Sequence, residues 1–315
     1  MEPYIIDASK ADLDINKTAE IFNEFGFLIL RQGFHPDIVK KIKKLSFDYV
    51  ESKKLWVYKY KNKKVHVKEF GSVIPLVPAL DNIIKNALPV KIIREIVKEE
   101  LYYFRDAVIV KMKNEDGRFP MHQDSANWNC KPERLVSIWI PLRDVNEEMG
   151  VLHVVPKSHK IGGSQRLEHQ LYFMGIKLPS FVHKIARAAP KNSNSKSERG
   201  LPLKMRISEF LARMVAYAGI KVFSFISERS DSVSRGYEEF RQAYTVDNEE
   251  DYWNHAIFKN MNRGDCIIYH SRTLHGSKGN RTEKPREAFV PTFMGANFTR
   301  NGIKISEPNM GFLKV

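Results

Sequence analysis

The stretch FPMHQDSANW places His122 and Asp124 two residues apart. In an extended strand such residues share a face, with Cα atoms about 6.6 Å apart at a rise of about 3.3 Å per residue, so both can reach one metal ion. H-x-D alone is a weak signal, because a polar turn at the end of a sheet accounts for it without any metal. A third ligand is needed. His275 supplies a candidate, in YHSRTLHGSKGNRTEKPREAF after the apolar run CIIY, where the chain can deliver it from a neighbouring strand. Two histidines and one carboxylate on one face of an octahedral ion leave three positions open, which suits non-haem Fe(II) and oxygen chemistry. Zinc is more often closed by four ligands or held by three neutral ones.

Arg286 follows at the start of the next expected strand. A guanidinium holds a carboxylate by two parallel hydrogen bonds, which is what is needed to grip the far end of a dicarboxylate whose near end chelates iron. Arg281, the rival, lies in the turn and is expected to be exposed. His270 is expected to be a packed strand residue. Cys130 and Cys266 are far apart and in no C-x-x-C arrangement, which argues against a disulfide framework or a structural zinc site.

These groups need a scaffold to converge. NKTAEIFNEF reads as a helix with Ile21, Phe22 and Phe25 on one face, broken at Gly26 and followed by the strand FLILRQGF. HPDIVKKIKKLSFDYVESKK reads as a second helix, with Ile38, Val39, Ile42 and Leu45 inward. LWVYKYKNKKVHVKEF alternates apolar and basic residues, as a half-exposed strand or hairpin does. RDAVIVKMKN, LVSIWIPLRDV, VLHVVPKSH, CIIYHS and EAFVPTFMGANF read as strands separated by Gly, Asn and Pro turns, which indicates a sandwich or barrel. Residues 161–253 differ in texture. KLPSFVHKIARAAP reads as a short helix capped by Ser180, and MRISEFLARMVAYAG carries an apolar helical stripe, so this segment is expected to be an insertion into one domain spanning 1–315.

The chain carries a formal charge of +14, with 43% hydrophobic residues, enough for a buried core. Lys157 to Arg235 holds 15 basic and 5 acidic side chains, net +10, which leaves +4 for everything else. That local excess suits a solvated face, an anionic substrate, an acidic partner or a membrane surface. No helix-turn-helix, zinc finger or aromatic stacking pattern accompanies it, so nucleic acid is not expected. MEPYIIDASKADLD lacks the basic lead and apolar core of a secretory signal, and no window approaches the roughly 18 apolar residues of a membrane span. A cytoplasmic protein without a transmembrane segment is expected.

Taken together, HQD, GVLHVVPKSH and GDCIIYHSRTLHGSKGNRTEKPREAF resemble the phytanoyl-CoA dioxygenase family of Fe(II)/2-oxoglutarate oxygenases, and FNEFGFLILRQGF resembles that family's N-terminal segment. The resemblance covers most of 16–160 and 262–298. It implies a mainly β fold with flanking helices, a double-stranded β-helix of the jelly-roll or cupin type. It also implies Fe(II) held by His122, Asp124 and His275, with 2-oxoglutarate and O2 as co-substrates. The 2-oxoglutarate carboxylate is then expected on Arg286, with the Ser277 hydroxyl as a second contact. Trp139 is expected either to wall that pocket or to be structural, and Lys111 to face inward near the co-substrate. His153 and His159 match a family corner of structural role.

The implied activity is hydroxylation of a small molecule, polar or anionic or bound to a carrier, with desaturation or oxidative cyclisation as alternatives. Related halogenases have a small residue where this chain has Asp124. A cupin-like enzyme without 2-oxoglutarate, a non-catalytic binding module and an oxygenase of macromolecules are the competing readings. The insertion lies where substrate selectivity is set in such folds, and the sequence does not select the substrate.

Overall fold

The chain enters its sheet with β1 (Ile5–Asp7) and turns into helix α1 (Ile15–Phe25). Asp14 starts the helix by accepting a hydrogen bond from the Lys17 amide at 3.0 Å. Gly26 stops it at φ 82°, in the left-handed region that favours glycine, so the break expected there is present. The structure, a computed structural model, describes residues 2–10, 12–61, 64–128, 130–160, 249–300, 303–305 and 312–315. The helices read in 161–248 therefore lie outside the described residues.

Strand β2 (Phe27–Arg31) is followed by α2 (Pro36–Ser52), which buries Val39 and Ile42 and packs Ile38 and Leu45 against the same core, as its periodicity requires. Then come β3 (Val57–Lys61), β4 (Lys64–Gly71), α3 (Pro78–Lys85), α4 (Leu88–Val97), β5 (Leu101–Arg105) and β6 (Ala107–Lys111). Further on are β7 (Phe119–His122), β8 (Cys130–Lys131), β9 (Val136–Pro141), β10 (His153–Val154) and α5 (Glu249–His255). The last strands are β11 (Cys266–His270), β12 (His275–Ser277), β13 (Arg286–Phe289), β14 (Thr292–Gly295), β15 (Thr299–Arg300) and β16 (Ile303–Lys304).

The main sheet runs β1-β2-β11-β9-β13-β6-β4-β3, with β14 bridging β9 and β5. A smaller sheet, β10-β12-β7, carries two of the candidate ligands. One face of the main sheet sets Leu28, Ile138, Ile268 and Phe289 against Phe22, Ile42, Ile84 and Ile93 of α1 to α4. The other face sets Phe27, Ile29, Trp139, Tyr269 and Ala288 against Val151, Leu152 and Val154, around the small sheet. Each large apolar side chain so buried contributes about 1.5–3 kcal/mol. Because β9 is covered on both faces, VSIWIP reads as an apolar run broken only by Ser137. The outer face of the small sheet, Met121, Val155 and Leu274, is covered by Tyr252 and Trp253 of α5. Sheet facing sheet with helices outside is the double-stranded β-helix, mainly β.

Three expected strands are cut differently. RDAVIVKMKN is cut at Asp106, whose buried carboxylate accepts hydrogen bonds from the Val73 and Ile74 amides at 2.8 and 3.0 Å, so Arg105 closes β5 opposite Thr292 and β6 begins at Ala107. EAFVPTFMGANF splits into β13 and β14 at Pro291, which has no N–H to donate to a ladder. In VLHVVPKSH only His153 and Val154 pair, and Ser158–Lys160 is a 3-10 turn. Among the described residues no helix is long and apolar enough to cross a membrane.

Candidate metal centre

Strands β7 and β12 pair antiparallel with His122 opposite His275. Residues directly opposite project to one face, and here the imidazole centroids are 4.2 Å apart. The register shifts between His275 and Ser277, at Gly276, whose Cα lies so close to β7 that an added Cβ would sit 3.0 Å from the Phe119 carbonyl oxygen. Asp124 arrives by a different route from the one the H-x-D spacing suggests. β7 ends at His122, Gln123 is still extended at φ −115° and ψ 124°, and Asp124 opens a 3-10 turn. The bend swings the carboxylate towards both rings, with His122 Nε2 3.5 Å from Oδ1 and His275 Nε2 3.7 Å from Oδ2. One ligand atom from each of the three residues lies within 4.8 Å of the other two, and among the described residues no other such group occurs.

Both rings are held in one tautomer. His122 Nδ1 lies 2.7 Å from the Pro120 carbonyl oxygen and His275 Nδ1 lies 2.8 Å from that of Thr273. A carbonyl only accepts, so each Nδ1 carries the proton and each Nε2 presents a lone pair to the carboxylate side, as a metal requires. Burial first, then the neighbouring His122, takes the His275 pKa down to about 4, so the ring is neutral and able to ligate at pH 7. Burial works to raise the Asp124 pKa, but His275, His122 and Arg105 outweigh it and hold the carboxyl below the ordinary range.

The second half of the site lies on the inner face of the main sheet. Arg286 is 2% exposed and pairs across the ladder with Lys111, itself fully buried. Arg286 Nε and Nη1 have no hydrogen-bond partner among the described residues. The guanidinium lies over the Trp139 ring, 5.8 Å from its centroid. Lys111 Nζ donates to the Ser277 carbonyl at 3.1 Å and also to that of Lys278, so it ties this corner to the strand that carries His275. Burial and the adjacent Arg286 charge hold the Lys111 ammonium well below the ordinary lysine range. Ser277 is buried at 3% beside them. Arg281 is exposed.

The remaining histidines have other surroundings. His153 lies under Trp253 and Phe258, His159 Nε2 is 3.0 Å from the Asn23 carbonyl oxygen, and His270 Nδ1 accepts from the Arg272 amide.

The family profile described as phytanoyl-CoA dioxygenase (PhyH) matches residues 22–206 and 227–288. The chain belongs to the phytanoyl-CoA dioxygenase family. It is an Fe(II)/2-oxoglutarate-dependent oxygenase, working with iron, 2-oxoglutarate and O2. A search of curated proteins finds no match to it.

Solved structures of similar fold include the non-haem α-ketoglutarate-dependent carbocyclase SnoK from nogalamycin biosynthesis, at TM-score 0.60 and 14% identity, covering 96% of this chain and 97% of that one. The epimerase SnoN, in complex with Fe3+, α-ketoglutarate and nogalamycin RO, aligns at 0.57 and 14%, covering 91% and 85%. EctD from S. alaskensis aligns at 0.55 and 14%, covering 94% and 82%. At these identities the likeness establishes the fold. The site of this dioxygenase-family chain fits the cofactor on its own geometry: two Nε2 lone pairs and a carboxylate converge, and two nitrogens of the buried Arg286 guanidinium have no partner among the described residues.

Two residues of this dioxygenase-family site are absent from the expected set. Tyr269, on the inner face, places its ring 4.6 Å from that of His275, and burial together with the Asp124 charge pushes its phenol well above the ordinary range. Its signal in the sequence is a lone hydroxyl closing an apolar strand. Arg105 sits opposite Thr292, whose hydroxyl bonds Ser137 at 2.9 Å on the same face. Period two from Lys111 back through Ile109 and Ala107 would have found it.

Proposed function

We propose that this oxygenase hydroxylates a C–H bond of a small polar or anionic metabolite or natural-product intermediate, releasing succinate and CO2. In this reading His122, Asp124 and His275 hold Fe(II), Arg286 grips the far carboxylate of 2-oxoglutarate, and Ser277 and Lys111 stand beside it. The observation that carries it is the buried Arg286 guanidinium, whose Nε and Nη1 have no partner among the described residues, beside Lys111, which bonds the strand of His275. A buried guanidinium with N–H groups left over calls for an anionic ligand.

When bound, the ion with its co-substrates supplies an oxidant able to attack an unactivated C–H bond. The chain supplies orientation and a dry cavity. The Pro120 and Thr273 carbonyls fix the two rings, so both Nε2 atoms stay aimed without reorganisation. Asp124 takes the position that a small residue would leave to halide, which favours hydroxylation, or desaturation or ring closure by the same oxidant. The Trp139 face lies against the guanidinium, and Trp139 packs in the apolar inner-face cluster with Ile267, Ala288 and Val154.

Anaerobic addition of Fe(II) and 2-oxoglutarate should give a visible charge-transfer absorption, absent in His122→Ala and Asp124→Ala. A band that survives both substitutions would remove the triad from the reading. A screen of candidate metabolites for substrate-triggered succinate release then identifies the substrate. Product mass separates added oxygen from loss of hydrogen or from unchanged mass, which matters because an epimerase and a carbocyclase share the fold.

A further inference from the structure

Arg105 closes β5 as an exposed residue, although its ladder position turns it to the inner face. Two observations place it there. It lies opposite Thr292, which lies opposite Ser137, which lies opposite Tyr269, and Thr292 and Ser137 join hydroxyls on the inner face. Asp106, the next residue, projects the other way, to the Val73 and Ile74 amides behind the sheet. Arg105 thus faces the side of the sheet that carries Tyr269. Its backbone stands three strand spacings from that of Tyr269, roughly 14 Å.

Among the described residues the Arg105 guanidinium makes no hydrogen bond or ion pair, unlike Arg31, which is 2.6 Å from Asp265, and Arg134, which is 3.0 Å from Glu99. Asp106 is committed to two backbone amides. Asp124, once it serves a metal ion, has no charge to spare. Arg300, 5.3 Å over the ring of neighbouring Phe104, adds a second positive charge nearby. An exposed, forked donor on the wall that faces the metal ligands, with no carboxylate among the described residues paired to it, is an anchor for a ligand's own anion.

We infer that Arg105 binds a carboxylate of the primary substrate and so selects anionic small molecules, holding the far end of the substrate while its C–H bond is presented at His122, Asp124 and His275. This rests on the oxygenase reading above and gives it a substrate class. It places the anion selectivity in the described barrel.

The test uses matched acids and amides as probes, phenylacetate against phenylacetamide and hexanoate against hexanamide. Each is titrated by calorimetry under anaerobic conditions into the full chain loaded with Fe(II) and saturating 2-oxoglutarate, which keeps the acids off Arg286. Wild type should bind each acid roughly 10- to 100-fold more tightly than its amide, the worth of one charge-assisted contact. Arg105→Gln should bring that ratio near unity, and Arg105→Lys should restore part of it. Equal affinity of acid and amide for wild type, no heat from either, or an unchanged ratio in Arg105→Gln each overturns the inference. If the loaded wild type lacks the charge-transfer absorption, it is instead the oxygenase reading that has failed.

Discussion

Replacing Arg286 by Met should have two effects of opposite sign. Burial takes the Arg286 pKa from the ordinary arginine value down to about 9. At about 1.4 kcal/mol per unit this corresponds to roughly 5 kcal/mol, and the protein bears it at neutral pH because arginine keeps its proton. The Trp139 face returns only about 1 kcal/mol. Methionine fills similar volume without a charge, so Arg286→Met without metal or co-substrate should be more stable than wild type by about 1–4 kcal/mol.

Affinity for 2-oxoglutarate should move the other way. Loss of a bidentate, charge-assisted pair costs about 2 kcal/mol or more, raising the concentration for half-saturation roughly 30-fold or beyond. Urea unfolding of the metal-free protein measures the first effect, and calorimetric titration of 2-oxoglutarate into the metal-loaded protein measures the second. Destabilisation of the metal-free variant by more than about 1 kcal/mol would show that the guanidinium has a partner within the folded chain. Unaltered co-substrate affinity would move the clamp to Lys111 or Arg281.

Gly276→Ala should destabilise the fold by about 1–3 kcal/mol and weaken Co(II) binding, because its Cβ would press at 3.0 Å on the Phe119 carbonyl and at 3.2 Å on the Met121 amide, backbone that cannot give without moving His122. Wild-type Co(II) affinity in a calorimetric titration would mean that this strand spacing does not set the site. His153 predicts an acid-sensitive stability. Trp253 and Phe258 cover it, the charges it feels are Lys278, Glu147 and Lys111, and burial takes its pKa from 6.5 down to about 4. Below pH 6.5 the unfolded chain takes up a proton that the folded chain refuses until about pH 4. The His153 contribution is therefore complete above 6.5 and is lost as pH falls towards 4, about 3 kcal/mol in all. Urea midpoints at pH 7.5 and 5 should fall apart in wild type and less so in His153→Leu; an equal fall in both would acquit His153.

Much of the scaffold is legible because its signals are local. Gly26 ends α1, and the inward residues of α2 repeat at helical spacing. Helices α3 and α4, between 72 and 100, are not among the expected elements: Pro78 and Pro89 sit in their first turns, but Val77 and Ala87 precede them without a capping side chain, so the usual polar start signal is missing. The cuts at Asp106 and Pro291 needed knowledge of what each backbone group would pair with.

The residue types that make an iron site thinkable, His122, Asp124, His275 and Arg286, are properties of the sequence, since a side chain's chemistry travels with it wherever the chain goes. Their meeting is not. β7 finds β12 across a separation of more than 150 residues, the turn after Gln123 brings Asp124 to both rings, and the ladder sets Lys111 beside Arg286. Such proximity depends on which register buries the most apolar surface over a whole sheet, a sum over distant strands that no local spacing contains. The same sum buried Arg286 with Nε and Nη1 lacking a hydrogen-bond partner among the described residues and set Arg105 opposite Thr292 on the inner face.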